Sequence, residues 1–228
     1  IGAYISNLSE KSKYTASMGS SEAKLTELGV YGKWKTETPL YIAANTKYAT
    51  GDIKFKRTVN NGMQSESSTA KSDLDKYGVY AELGYALIQN QLSISPYAGL
   101  SHNQVSLHGL KESSAYGVAI GDVTAKESKA HAGLRLDYAL SKQLLLGGYT
   151  EYAYAVDRSL PKVSLSSNID RHITVDYRAP SFDKDYLHYG LGFNYLTANS
   201  SWNIFGDIAG NAINSSDYQL QLGLKYAF

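Results

Sequence analysis

Large apolar residues alternate with polar or small ones along most of the chain. The alternation is clearest in Tyr218–Phe228, where even positions are large and apolar or aromatic and odd positions are polar or small. Successive side chains of a β-strand point to opposite faces of the sheet, so this period of two predicts a strand with one apolar face. The segment also has the length of about eleven residues that a tilted strand needs to cross a bilayer.

The same alternation recurs about ten times. Four further segments show it clearly, namely Tyr77–Leu87, Ala132–Leu140, Leu187–Tyr195 and Trp202–Ile208. Weaker versions occupy Ile1–Ser9, Lys24–Trp34, Leu40–Lys56, Leu92–Leu110 and Leu144–Val156. An even number of up-and-down strands returns both ends of the chain to the same side, as the closure of a bacterial membrane barrel requires.

The connections between these strands differ in length. Short ones fall at Lys35–Pro39, Ile88–Gln91, Ser141–Gln143 and Thr197–Ser200. Long polar ones fall at Glu10–Ala23, Arg57–Leu74, Lys111–Gly121 and Pro161–Phe182, and a shorter one at Gly210–Ser216 departs from the trend. Outer-membrane barrels have short periplasmic turns and long extracellular loops. We therefore expect both termini of the barrel in the periplasm and the long loops outside the cell.

A soluble β-sandwich or lipocalin-like barrel would also alternate, and composition separates the two. A soluble fold needs a charged outer face, whereas here the more polar face is rich in Gly, Ala, Asn, Gln and Tyr, and the charges concentrate in the long connections. No window approaches 18 consecutive apolar residues, which excludes a helical span. The 20 Tyr residues suit membrane interfaces. The sequence predicts one all-β domain over residues 1–228, a transmembrane antiparallel up-and-down β-barrel of about ten strands.

Several chemistries find no support in the sequence. The absence of Cys excludes zinc-thiolate sites, disulfides and cysteine nucleophiles, and a net charge of +1 offers no basic field for nucleic acid. Enzymatic barrels use an Asp/His pair at the rim or a Ser/His/Asn set on the lipid face. The five histidines fall in no such motif and no metal or phosphate motif is present; they are His102, His108, His131, His172 and His188. We expect no catalytic residue, metal or cofactor.

Parity along the strands predicts which polar side chains face the lumen. The candidate site residues among them are Glu82, Arg135, Asp137, Glu151, Asp207 and Lys225. They are accompanied by Tyr41, Asn45, Lys47, Tyr97, Gly99, Asn194, Gln219 and Gln221. Both signs occur, so Arg135 is expected to pair with Glu82 or Glu151. Such pairs either hydrate a passage or are ordinary satisfied ion pairs, because buried pairs are weak evidence of purpose.

Two groups of segments resemble known proteins. The last strand, with Tyr218, Leu220, Leu222, Leu224, Tyr226 and Phe228, resembles the terminal signature of outer-membrane barrels that the barrel-assembly machinery recognises. Thr26–Gly32, Tyr77–Tyr85 and Ile94–Leu100 running on to Gly109–Glu112 resemble the translocator domain of autotransporters, the classical type V secretion family.

The autotransporter resemblance implies a function. It implies a monomeric barrel in a Gram-negative outer membrane that anchors an N-terminal passenger and exports or displays it. Its partners would be outer-membrane lipid, the barrel-assembly machinery and its own passenger, and nucleic acid would not be among them. The alternative is a stand-alone barrel, either an adhesin or an omptin-like protease or phospholipase, that acts through its extracellular loops.

The strand count departs from the family pattern. Autotransporter translocators are similar to one another as twelve-stranded barrels with a linker helix in the lumen, and the first strand here matches the family's third. Either the first two strands and the helix lie outside this sequence, together with the targeting segment, or the barrel is complete with ten strands.

Deleting Phe228 should impair assembly, because the terminal aromatic belongs to the outer face and recognition signal of the last strand. The amount of folded barrel in the outer membrane measures this, and a normal amount in the deletion variant would refute the role.

Overall fold

The computed structural model describes residues 1–14, 19–60, 65–178, 183–197, 202–213 and 218–226, without the side chains of Val59, Asn60 and Tyr226. No helix in these ranges has the length and apolarity to cross a membrane. The strands are β1 (Gly2–Lys13), β2 (Gly19–Lys35), β3 (Leu40–Asn60), β4 (Ser65–Tyr85), β5 (Leu87–Gln89), β6 (Leu92–Leu107), β7 (Leu110–Lys111), β8 (Val118–Ile120), β9 (Val123–Ala139), β10 (Leu144–Ser159), β11 (Lys162–Ser167), β12 (Thr174–Arg178), β13 (Asp185–Leu196), β14 (Trp202–Asn211) and β15 (Tyr218–Tyr226).

Ten long strands form one curled antiparallel sheet in the order β1-β2-β3-β4-β6-β9-β10-β13-β14-β15, with the short β5 paired to β6. Each neighbour pair is consecutive among the long strands, so the sheet is an up-and-down meander. The ten strands are those that the alternation predicts, in the same order. Within the described ranges β1 and β15 form the two edges of the sheet and are not paired with each other.

The predicted long loops are wrong in part, because much of their length is strand. The ladder of β1 and β2 continues to Lys13 and Ser20, and that of β3 and β4 continues to Asn60 and Ser65. Outside lipid a strand needs no apolar outer face, so the backbone pairing continues through residues whose polar sequence is typical of a loop.

The other two long connections contain a second, four-stranded sheet in the order β12-β11-β8-β7. Glu112, just after β7, connects this four-stranded sheet to Arg57 of β3. Arg57 donates to its carboxylate from Nε at 2.5 Å and Nη2 at 2.6 Å, and the Val118 N–H donates at 2.9 Å. Burial by itself raises the pKa of Glu112, but these hydrogen bonds outweigh it and hold the pKa below its ordinary value.

The polarity of the sheet inverts along the length of its strands. Near the short turns the outer face carries exposed large side chains such as Leu83, Leu100 and Leu191. Near the long-connection end the apolar residues lie on the inner face instead, in a cluster of Ala23, Leu25, Ala49 and Leu74 with Ile53 and Leu107 packed on it. The outer face there carries ion pairs such as Lys71–Asp52 at 3.7 Å. A sheet that leaves hydrocarbon for water requires this inversion.

Aromatic side chains mark the limits of the apolar zone. Tyr77 and Tyr85 on β4 lie eight residues apart on the outer face, a distance of about 26 Å along a strand. Tyr77 is paired with Tyr48 at one limit. At the other limit the outer face carries Trp34, Tyr138, Tyr195 and Trp202. The apolar band of outer-membrane barrels is about 25 Å tall and is flanked by such aromatic girdles.

Arginine substitutions should report the depth of this band. Leu100 lies opposite Ala81, midway between Tyr77 and Tyr85. Leu100→Arg should cost about 2–4 kcal/mol of folding free energy in bilayers, because arginine at the midplane is poorly solvated, whereas Thr50→Arg beyond Tyr48 should cost about 0–1 kcal/mol. Equal costs in a denaturant titration of protein folded into vesicles would contradict the assigned depth.

The inner face is tightened by aromatic rings that lie over glycines. Six glycines are each directly opposite an aromatic residue in the strand register, in the pairs Gly2–Tyr31, Gly29–Tyr4, Gly84–Tyr41, Gly133–Tyr97, Gly190–Tyr149 and Gly223–Phe205. A Cβ added at Gly133 would lie 2.4 Å from the ring of Tyr97. The missing side chain lets the ring lie flat on the neighbouring strand, as in the aromatic rescue of strand glycines.

Adding this Cβ should destabilise the sheet. Gly133→Ala forces the Tyr97 ring away from its position, and overpacking of this kind costs about 1–3 kcal/mol. Gly121→Ala is the matched control, since nothing lies within 4 Å of an added Cβ there. The midpoint temperature of the heat-induced gel shift should be lower for Gly133→Ala than for Gly121→Ala. Equal midpoints in the two variants would count against the packing role.

Candidate functional site

The inner face of β3, β4, β6, β9 and β10 carries a continuous set of polar contacts, which we term the inner network. Its centre is the ion pair of Arg135 with Glu82, in which Nη1 donates to Oε1 at 2.5 Å and Nη2 donates to Oε2 at 2.7 Å. Arg135 Nη1 also donates to the Tyr41 hydroxyl at 3.0 Å, and the Tyr80 hydroxyl donates to Glu82 Oε2 at 2.5 Å. The side chain of Glu82 is only 3% exposed, so its charge depends on these donors.

Glu151 is the second acidic centre of the inner network. Its Oε1 lies 2.9 Å from His131 Nδ1, and its Oε2 accepts the Tyr97 hydroxyl at 2.8 Å. The other ring nitrogen of His131, Nε2, lies 2.8 Å from the Ser101 hydroxyl. Glu151 therefore has both oxygens occupied by groups of its own wall.

Ring contacts connect the two acidic centres. The Arg135 guanidinium lies 3.8 Å from the centroid of the Tyr97 ring, whose hydroxyl reaches Glu151. Tyr80, bound to Glu82, meets the His131 ring edge-on at 5.4 Å. Cation–π and edge-to-face contacts of this kind stabilise a partly desolvated network.

The structure brings together three of the six candidate site residues, Glu82, Arg135 and Glu151. The other three lie apart from the inner network. Asp137 is opposite Gly147, Asp207 is opposite Gly192 and Gln221, and the Lys225 ammonium lies 5.1 Å from the Phe205 ring centroid.

The predicted assembly signal lies on the last strand. Tyr218, Leu220, Leu222 and Leu224 are exposed on one face of β15. The Tyr226 backbone is paired with Trp202, and Phe228 lies outside the described residues.

Sequence parity missed a second cluster nearer the long-connection end. Arg158 Nε donates to Glu127 Oε1 at 2.7 Å, and Arg158 Nη2 donates to the Tyr186 hydroxyl at 2.5 Å. Lys129 lies 2.8 Å from Glu127 Oε2 and 3.7 Å from the Tyr186 ring centroid. A bulge between Ala155 and Asp157 shifts the register by one residue and turns Arg158 inward. A count of alternating positions along β10 would have placed it outside.

The charged groups of the inner network find their partners within the wall. Within the described ranges no group of three or more His, Asp or Glu side chains is placed to hold a metal. In the inner network Arg135 is paired with Glu82, and both carboxylate oxygens of Glu151 have partners in the same wall.

Comparison with known proteins agrees with this architecture. Residues 1–209 match the family model described as the autotransporter beta-domain. A curated relative, the extracellular serine protease of Serratia marcescens, is 27% identical over 113 residues, which are 49% of this chain and 11% of that protein. The matched part thus spans about a tenth of the relative's length.

Solved structures show the same fold. The translocator domain of the autotransporter NalP from Neisseria meningitidis superposes with a TM-score of 0.72 at 14% identity, covering 99% of this chain and 75% of that chain. The transport unit of the autotransporter AIDA-I from Escherichia coli gives 0.51 at 14% identity, covering 99% and 74%. The outer-membrane protease OmpT from the same species gives 0.53 at 16% identity, covering 99% and 95%. By its match to the family model over most of its length, this chain belongs to the autotransporter β-domain family, the translocator barrels of Gram-negative outer membranes.

Proposed function

We propose that this chain anchors an N-terminal passenger in the outer membrane and exports or displays it on the cell surface. The observation that carries the proposal is the inner network, a polar wall whose charges are held by partners in the wall itself. An extended polypeptide in transit brings its own charges and unpaired backbone groups. A wet wall that carries both signs of charge, with its central Arg135, Glu82 and Glu151 hydrogen-bonded within the wall, hydrates that chain without a field of one sign that would trap it.

The orientation belongs to the same proposal. The short turns and the two termini of the sheet lie at one end, and the four-stranded sheet lies at the other. Short turns face the periplasm in outer-membrane barrels. We place the four-stranded sheet outside the cell, where the ion pair of Arg57 with Glu112 connects it to the extended β3–β4 hairpin.

Further partners follow from the apolar band and the last strand. The outer face meets outer-membrane lipid, and the exposed face of β15 would serve recognition by the barrel-assembly machinery. In this proposal the barrel is a monomer and translocation itself breaks no covalent bond.

Breaking the central ion pair should slow passenger exposure while the barrel still inserts. Arg135→Met leaves Glu82 buried without its cation, which should lower the free energy of unfolding by about 3–5 kcal/mol. Removing the charge of both partners often changes that free energy little. Surface proteolysis during a pulse-chase should therefore show slower passenger exposure in Arg135→Met than in the Arg135→Met, Glu82→Gln double variant. Identical kinetics in wild type and single variant would contradict the role of the wall.

Cysteine labelling tests the orientation, since the chain has no cysteine of its own. Gly121→Cys, beside the four-stranded sheet, should react with a membrane-impermeant maleimide on intact cells, and Ser141→Cys, in a short turn, should react only after the outer membrane is opened. The reverse pattern would invert the orientation.

A further inference from the structure

The inner network holds a serine, a histidine and a carboxylate in one line of hydrogen bonds. The Ser101 hydroxyl lies 2.8 Å from His131 Nε2, and His131 Nδ1 lies 2.9 Å from Glu151 Oε1. The serine and the carboxylate thus occupy opposite nitrogens of the ring. This is the connection that joins a serine nucleophile, its general base and the acid that orients the base.

Strand register creates this line from residues far apart in sequence. Ser101 lies on β6, His131 on β9 and Glu151 on β10, three neighbouring strands of the sheet. His131 is opposite Gly99, two residues before Ser101 on the inner face, and Glu151 is opposite Gly133, two residues after His131. The three side chains therefore follow a diagonal across the inner face.

The base is held more firmly than a surface histidine would be. Glu151 is fixed through its second oxygen by the Tyr97 hydroxyl at 2.8 Å, and the Tyr80 ring meets the imidazole edge-on. The side chains of His131 and Glu151 are 9% and 15% exposed, while Ser101 is half-buried. Such support from surrounding residues pre-organises a reactive group.

We propose that Ser101 is the nucleophile of an acyl-transfer site in the lumen, with His131 as general base and Glu151 as the residue that positions it. The substrate is an acyl carbonyl that reaches the inner face, in an ester or in a peptide. The peptide source rests on the proposed function, which brings an extended polypeptide past this wall.

The reaction balances with water alone. Ser101 Oγ forms a bond to the carbonyl carbon while its proton moves to His131 Nε2, and the bond to the leaving amine or alcohol breaks as that group takes the proton. Water then attacks the acyl-serine, gives one proton to His131, and releases the acid as the proton returns to Ser101 Oγ.

The chain provides its own matched control. On the outer face the Ser128 hydroxyl lies 2.9 Å from His102 Nδ1. In the described part of the chain, no carboxylate is hydrogen-bonded to His102. A serine paired with a histidine but without the acid should be far less reactive.

A fluorophosphonate tests the nucleophile directly on the full-length protein purified in detergent. Ser101 Oγ attacks phosphorus, fluoride leaves, and His131 takes the hydroxyl proton, which gives a stable adduct located by peptide mass spectrometry. We expect the adduct at Ser101, none in Ser101→Ala, and an unchanged rate in Ser128→Ala. His131→Gln should lower the labelling rate by about a hundredfold or more, the range that a general base contributes.

Glu151 is tested through the pH dependence of labelling. Glu151→Gln removes the anion that stabilises the charged imidazole, so it should slow labelling and displace the pH profile, while Glu151→Asp should retain the wild-type profile. The heat-induced gel shift verifies that each variant is folded, so that a loss of folding is not read as a loss of reactivity.

The outcomes separate the two substrate sources and leave no neutral result. Turnover of p-nitrophenyl butyrate or of a chromogenic peptide, lost in Ser101→Ala, supports the site and identifies the carbonyl it accepts. Adduct formation no faster than in heat-denatured protein, an unchanged rate in His131→Gln, or no turnover of either substrate overturns the proposal. None of these readouts uses secretion, so they can fail while passenger display succeeds.

Discussion

Hydrocarbon offers no hydrogen bonds to a polypeptide backbone, and this constraint governs the whole molecule. Every N–H and C=O of a strand inside the membrane must be paired within the protein, so strands can cross only as a sheet without free edges. The meander meets this demand for its inner strands by pairing each long strand with its neighbour in sequence. Its two described edges, β1 and β15, need partners in the membrane for the same reason. The apolar outer face and the aromatic girdles follow from the same solvent.

The inner face is shaped by a different consequence of that constraint. A curled sheet brings its inner side chains close together, and the glycines opposite aromatic rings supply the room that the rings need. The charges on this face cannot rely on bulk water to the extent that loop charges can, so Arg135, Glu82 and Glu151 each find partners on other strands of the sheet. The inner face is therefore ordered both by the packing of its aromatic rings and by the pairing of its charges. The same residues can line a polar passage and hold the Ser101 side chain in position.

Sequence alternation predicted the ten long strands because lipid imposes a strict period of two on β4, β9, β13 and β15. Alternation did not predict the strands beyond the girdles. Polar residues are stable there on both faces of the sheet, so the sequence of the extended β3–β4 hairpin resembles that of a loop. Alternation placed Arg135 and Glu82 on one face of the sheet, where the two side chains form an ion pair, since parity alone decides the face. It did not find the contact of His131 with Ser101, because parity gives the face of a residue but not the register between strands. It also missed Arg158, because a bulge reverses parity beyond Ala155.

Quenching of the two tryptophans of this chain by lipid is the most direct test of the membrane assignment. Trp34 and Trp202 both lie on the outer face at the short-turn limit of the apolar band. The protein is placed in vesicles of brominated phospholipid. The fluorescence of a Trp34→Phe, Trp202→Phe variant is subtracted from that of the wild type, and the difference is the tryptophan signal. Strong quenching by bromine near the headgroup end of the acyl chain, and weaker quenching by bromine at the bilayer centre, is the predicted result. Quenching by aqueous iodide without any quenching by bromolipid would contradict the account.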